Sequence, residues 1–191
     1  MDEVVESTHP GSLGQRPQAL LPDVLADGLS VVFCGINPGV VAAASGHHFQ
    51  GRGNRFWRVL HMAGFTPELM RPESDRELLA YGYGLTTAVS RPTARADQLS
   101  LAEIRASSSG LIDKIKVHQP RYVAFLGKAA YAAISDQRQI VWGCQPATLS
   151  GSKVWVLPNT SGLNRSFSLE KLVESYKKLC LTVRSEREIA P

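Results

Sequence analysis

Two stretches of this chain end an apolar run in a loop of Gly, Pro and Asn. In the first, Leu29, Val31, Val32 and Phe33 lead into Cys34-Gly35-Ile36-Asn37-Pro38-Gly39. In the second, Lys153 to Leu157 leads into Pro158-Asn159-Thr160-Ser161-Gly162-Leu163-Asn164-Arg165. β-Branched runs that stop this abruptly read as buried strands ending in sharp turns. An asparagine held in such a turn offers a donor and an acceptor at the carboxyl end of its strand. In a parallel sheet those ends share one rim, and ligands settle in the crevice outside it. If both strands belong to one parallel sheet, the two loops face a common site.

The intervening sequence predicts such a sheet. Ser30 to Cys34, Leu85 to Ala88, Tyr122 to Leu126 and Lys153 to Leu157 read as strands, separated by helical patterns. Residues 40–53 read as a long loop, after which Asn54 takes an N-cap position. The helix it opens carries Phe56, Trp57, Val59, Leu60 and Met62 and stops at Gly64. A short helix is expected over 75–81. Ser100-Leu101-Ala102-Glu103 has the spacing of a capping box, opening a helix with Ile104, Leu111, Ile112 and Ile115 that Pro120 ends. Gly127-Lys128 starts a helix through Ala133, the stretch 139–150 is irregular or strand-like, and Ser168 opens a closing helix through Leu181. Alternating strands and helices imply an α/β fold: three layers, α/β/α, around a central, mostly parallel sheet. Residues 1 to about 20 lack apolar periodicity and read as a flexible tail, with one domain over 21–183 and a charged, frayed end over 184–191.

Several classes of function find no support. No apolar run reaches the length of a membrane span, and the N-terminus lacks the charged-then-apolar pattern of a secretory signal, so a cytoplasmic protein is expected. Cys34, Cys144 and Cys180 fit neither a disulfide framework nor a zinc or iron–sulfur spacing. His47-His48 lacks a spaced partner for a metal, and neither metal nor cofactor is expected. Gly51-Arg52-Gly53 lacks the third glycine of a dinucleotide fingerprint, and there is no Walker loop, His-Glu-x-x-His or Gly-x-Ser-x-Gly. The net charge of +4 is mild, but Arg52, Arg55, Arg58, Arg91, Arg95 and Arg165 all fall in or after the strand-end loops. A basic rim suits a phosphate-bearing ligand; scattered solvated arginines are the ordinary alternative.

What remains is a rim rich in Asn, Gly, Pro, Thr and Arg, with one aromatic, Phe49, in the long first loop. An aromatic ring beside an amide suits a flat polar base, and an apolar loop tip can enter a base step. The residues alone reach only a base or nucleotide ligand. A nucleoside hydrolase and a non-catalytic binder of damaged DNA both fit them.

Gly35-Ile36-Asn37-Pro38-Gly39, Asn54-Arg55-Phe56-Trp57, Arg91-Pro92-Thr93 and Leu157-Pro158-Asn159-Thr160-Ser161-Gly162-Leu163-Asn164-Arg165 together resemble the mismatch-specific uracil-DNA glycosylases, a family that includes the thymine-DNA glycosylases. The resemblance implies a monomeric, monofunctional glycosylase that binds double-stranded DNA with G·U or G·T mismatches. It would flip the base out and hydrolyse the N-glycosidic bond. Asn37 would position the attacking water. Ile36, Gly39, Phe49 and Asn159 would bind the base, with Phe49 stacking on it. Gly162, Leu163 and Arg165 would enter the stack and face the widowed guanine. Asp97, in the loop after the third motif, is a candidate helper carboxylate; its ordinary reading is a surface residue near a helix N-terminus. The segment from Ala42 to Asn54 looks more like the thymine-processing branch, whereas the closing loop is bacterial in type. Small side chains at Ala42 and Ala43 would leave room for a C5 substituent.

Overall fold

A computed structural model describes residues 20–137 and 139–189. The tail expected over residues 1 to about 20 therefore lies, apart from Leu20, outside the described residues. Five strands form one sheet: β1 Val31–Gly35, β2 Tyr83–Thr87, β3 Tyr122–Leu126, β4 Gly143–Leu149 and β5 Ser152–Leu157. Their order is β2-β1-β3-β5-β4. The first four in that order run parallel, and β4 pairs antiparallel with β5 at the edge. The carboxyl ends of β1 and β5 thus lie on one rim, two strands apart.

The helices are α1 Val40–Ser45, α2 Phe56–Met62, α3 Leu101–Ala106, α4 Ser108–His118, α5 Lys128–Ser135 and α6 Leu169–Ile189. Side chains alternate across a strand, and here the alternation sorts the core into two faces. Val31 and Phe33 of β1, with Tyr122 and Ala124 of β3, pack against Phe56 and Leu60 of α2 and Leu172, Tyr176 and Leu179 of α6. Val32 and Cys34, with Val123 and Phe125, pack against Leu111 and Ile115 of α4 and Ala130 and Tyr131 of α5. The result is the three-layer α/β/α fold. Cys34 is a buried core residue, and burial pushes its thiol pKa up.

Several elements differ from the sequence reading. β2 begins two residues earlier than expected, at Tyr83, and contains Gly84. A Cβ at Gly84 would lie 2.7 Å from the Val24 carbonyl; the bare backbone lets Val24 bridge to Leu85. The long loop contains α1, closed by Gly46 in the left-handed conformation. The short helix expected over 75–81 is a 3₁₀ segment from Pro72 to Tyr81, kinked at Ser74. The helix after Ser100 breaks at Ser107 into α3 and α4. Only half of its capping box forms. Ser100 Oγ accepts from the Glu103 N–H at 3.1 Å, but the Glu103 carboxylate turns to Arg91.

The largest correction concerns the C-terminus. The stretch expected to fray from about Arg184 is helical as far as Ile189. Val183 extends the buried stripe of Leu172, Tyr176 and Leu179 by another turn. One turn further, Glu186 accepts from the Tyr122 hydroxyl at 2.8 Å, Lys153 at 2.7 Å and Arg121 at 3.0 Å, at the amino ends of β3 and β5. The Lys153 hydrogen bond is the chief reason the Glu186 carboxyl pKa is pushed down.

Candidate active site

The loop after β1 is stitched to the loop after β2. Ala88 N–H donates to the Gly35 carbonyl at 2.9 Å, Val89 to Ile36 at 2.9 Å, and Thr93 to Pro38 at 3.1 Å. These rungs fix the backbone around Asn37, and two more bonds fix its side chain. Asn37 Nδ2 donates to the Arg91 carbonyl at 2.8 Å and to Thr93 Oγ1 at 2.7 Å. The Thr93 hydroxyl donates onward to the Arg95 carbonyl at 2.8 Å, so it can only accept from Asn37. Since a carbonyl also only accepts, the amide cannot be flipped. Among the described residues Asn37 Oδ1 has no partner. The residue is half-buried and lines a pocket of about 150 Å³.

Phe49 forms one wall of this pocket. Its ring stacks on Phe56 with centroids 3.8 Å apart and planes 20° apart, and a Cβ on Gly35 would lie 3.8 Å from the same ring. Phe49 holds a left-handed backbone, φ 55°, a conformation that persists in a bulky residue only when its surroundings enforce it. The neighbouring His48 supplies that enforcement. Its N–H donates to the buried Asp75 carboxylate at 2.9 Å, its Nε2–H donates to the Pro22 carbonyl at 2.9 Å, and its own carbonyl accepts from Trp57 Nε1 at 3.1 Å. Burial holds the His48 pKa below its ordinary value. Ile36, Gly39, Ala42, Gln50, Asn54 and Thr87 also line the pocket.

The loop after β5 makes the opposite lip. Asn159 lines the pocket; its Oδ1 accepts from the Ser161 N–H at 2.7 Å, and its amide NH₂ has no partner among the described residues. Asn164 Nδ2 donates to the Asn159 carbonyl at 2.8 Å and closes the turn. Leu163 lines the pocket and is 68% exposed, an apolar side chain offered to solvent at the loop tip. Gly162 has no room for a side chain: a Cβ there would lie 2.8 Å from the Gly53 carbonyl oxygen.

The start of α2 holds this lip. The helix begins at Phe56, one residue later than Asn54 as N-cap implies, yet Asn54 Oδ1 still accepts from the Phe56 N–H at 3.0 Å. The same oxygen accepts from the Thr160 hydroxyl at 3.1 Å. The Arg55 guanidinium donates to the carbonyls of Thr160, Ser161, Asn164 and Phe167.

The structure therefore brings Ile36, Asn37, Gly39, Phe49, Asn159 and Leu163 to one pocket. Gly162 sits beside it in the lip, and Arg165 is exposed two residues beyond Leu163. Asp97 is not among the pocket residues. It is exposed on the 3₁₀ turn Ala96–Gln98 with its carboxylate held by Arg95 at 2.6 Å, the hydrogen bond that chiefly pushes its pKa down. Of the rim arginines, Arg55 is tied to loop carbonyls, Arg91 to Glu103 and Arg95 to Asp97. Arg52, Arg58 and Arg165 are exposed and make no ion pair among the described residues. Small Ala42 lines the pocket, while Ala43 is buried outside it. Thr93 and His48 are parts of the site to which the sequence reading gave no role. Thr93 lies inside a quoted motif, but nothing in its neighbours reveals that its hydroxyl orients an amide 56 positions away.

Among the described residues no three His, Cys, Asp or Glu side chains converge to hold a metal, and no helix is long and apolar enough to cross a membrane. Residues 22–180 match the family model of the uracil DNA glycosylase superfamily, and the chain belongs to that superfamily. Membership makes it a DNA glycosylase fold whose activity is excision of uracil in DNA repair. The fold is similar to the solution NMR structure of a candidate uracil DNA glycosylase from Methanosarcina acetivorans, with a TM-score of 0.56 and 24% identity over 85% of this chain and 98% of that one. At that identity the likeness bears on the fold alone.

Proposed function

We propose that this protein is a monofunctional glycosylase for uracil opposite guanine in double-stranded DNA, and that it also accepts thymine or a C5-modified pyrimidine in the same mispair. The observation that carries this reading is the fixed Asn37 amide, its oxygen unpaired among the described residues, in a residue that lines one pocket with Leu163. Extruding a base from the duplex costs a few kcal/mol and least at a mismatch, so a G·U wobble is partly selected before any contact forms. The flipped base stacks on Phe49, and the Asn159 amide NH₂ donates to one of its carbonyls. Leu163 fills the space the base leaves, flanked by Gly162 and Arg165.

Asn37 Oδ1 accepts a hydrogen bond from a water beneath C1′. The water oxygen bonds to C1′ as the C1′–N1 bond breaks, the electron pair leaves on the base nitrogen, and the water's proton passes to solvent. An amide orients this water but cannot take its proton, so the step leans on stabilisation of the departing anion by positioned donors. The Asp97 carboxylate, engaged by Arg95, stands outside this set. No lysine lines the pocket, which favours hydrolysis over a Schiff-base route. The small side chain of Ala42 on the pocket lining supports room for a C5 substituent.

Single-turnover excision on G·U, G·T and A·U duplexes, followed by alkali cleavage, tests this reading. Expected are alkali-labile sites fastest at G·U, slower at G·T and slowest at A·U, with no borohydride-trapped complex. Equal rates at G·U and A·U would overturn the mismatch preference, and tight binding without alkali-labile sites would overturn the enzyme.

A further inference from the structure

The loop from Pro158 to Phe167 has an unusual hydrogen-bonding problem. It leaves β5 with no strand or helix to receive its carbonyls until α6 begins, and a buried backbone carbonyl requires a donor. A single side chain supplies most of them. Arg55 Nη1 donates to the Phe167 carbonyl at 2.8 Å, Nη2 to Ser161 at 3.0 Å and Asn164 at 2.9 Å, and Nε to Thr160 at 3.4 Å. The Arg55 backbone N–H adds a second bond to Thr160, at 3.1 Å. No carboxylate among the described residues pairs with Arg55, so loop carbonyls take the place of a counter-ion. Its side chain does not line the pocket.

We infer that Arg55 is a positioning residue for base extrusion, fixing the loop in the shape that presents Leu163 before DNA is bound. This rests on the glycosylase reading above. The four carbonyls span eight residues and lie on both sides of Leu163, so one planar cation gathers both arms of the loop. Guanidinium suits this role because its five donors sit in a rigid fork. A lysine ammonium is a point donor and cannot reach all four carbonyls at once. Asn54 acts in the same direction through Thr160, and Gly162 rests against the Gly53 backbone. A wedge held ready avoids ordering its loop at the moment of binding, so losing the clamp weakens extrusion while leaving Asn37 and Phe49 in place.

Arg55→Lys is the decisive variant, because it keeps the charge while losing the fork. In the free protein, amide exchange at Ser161 and Asn164 is expected to rise about tenfold or more with β3 unchanged; exchange rising equally across β3 would mean general destabilisation and overturn the inference. In single-turnover excision, the variant is expected to lose up to about tenfold on a G·U duplex, no more than removal of the Leu163 side chain itself. Uracil facing an abasic site needs no pair broken, and there the loss is expected to stay within about threefold. Equal losses on both substrates would overturn the extrusion role. Combined with Leu163→Ala, Arg55→Lys is expected to add little further loss on G·U, whereas fully additive losses would show that Arg55 does not act through Leu163. If the wild type excises uracil from neither substrate, the glycosylase reading falls together with the extrusion role, and the exchange measurement still decides whether Arg55 clamps the loop.

Discussion

The loops after β1 and β5 are written in the same residues, Asn among Gly and Pro, yet they are held in opposite ways. The β1 loop is fixed by main chain: three rungs from the β2 loop lock it, and its asparagine is then trimmed into place by Arg91 and Thr93. The β5 loop has no such neighbour. Its last rung from the sheet is Gly127 N–H to the Leu157 carbonyl at 2.8 Å, and beyond it one main-chain bond, from the Arg55 N–H to Thr160, and the side chains of Asn54 and Arg55 do most of the holding. The difference follows from position in the sheet. β1 is flanked by a parallel strand whose own loop continues alongside. β5 has β3 on one side and antiparallel β4 on the other, and β4 begins, rather than ends, at this rim. A ladder suits an atom that must not move, while side-chain clamps allow the leucine between them to stay exposed.

Four experiments sharpen or break that contrast. The largest effect is expected for Asn37→Ala. It should lower single-turnover excision on the order of 100-fold or more, the scale of removing one positioned polar group, with little change in melting temperature. A loss of stability as large as the loss of rate would mean that the asparagine serves the fold. Next, Leu163→Ala should slow excision from G·U about tenfold while sparing uracil opposite an abasic site, where extrusion is easy. Equal slowing on both would remove the wedge role. A smaller effect is expected for Arg165→Ala. If Arg165 neutralises one phosphate, its removal should make the slope of log affinity against log salt shallower by about 0.9. An unchanged slope would leave Arg165 as a solvated residue.

The smallest effect concerns pH and the wall of the β1 pocket. The His48 pKa in the fold lies below its ordinary 6.5 because burial opposes the charged form. Its contribution to stability is therefore complete above pH 6.5 and is lost as pH falls from there toward the folded value. Thermal melts between about pH 8 and pH 5 should decline more steeply for the wild type than for His48→Gln, which keeps a donor for Pro22 without titrating. Parallel profiles would show that another group governs the acid limb.

Much of this architecture was legible in the sequence because it obeys local rules. β3 lies at Tyr122–Leu126 as expected, since a short, uninterrupted apolar and aromatic run bounded by Pro120 and Gly127 and buried on both faces has few alternatives. The gathering of Asn37, Phe49, Asn159 and Leu163 was legible through the motifs together with the rule that parallel strands share a rim. The parts that were not legible depend on partners distant in sequence. Arg55 reads as one of several rim arginines until its four carbonyls are located. The helix to Ile189 reads as a frayed charged end because Glu186 finds Tyr122, Arg121 and Lys153 only in the folded sheet. Gly84 lies just outside the strand expected from Leu85, yet its bare backbone is what admits Val24.

The approach of Gly162 to Gly53 also sets how tightly the rim of the cleft closes. With no side chain between the two backbones, the loop after β5 has no slack to move further toward Gly53 at this point. A side chain at Gly162 would meet the Gly53 carbonyl and push the two loops apart.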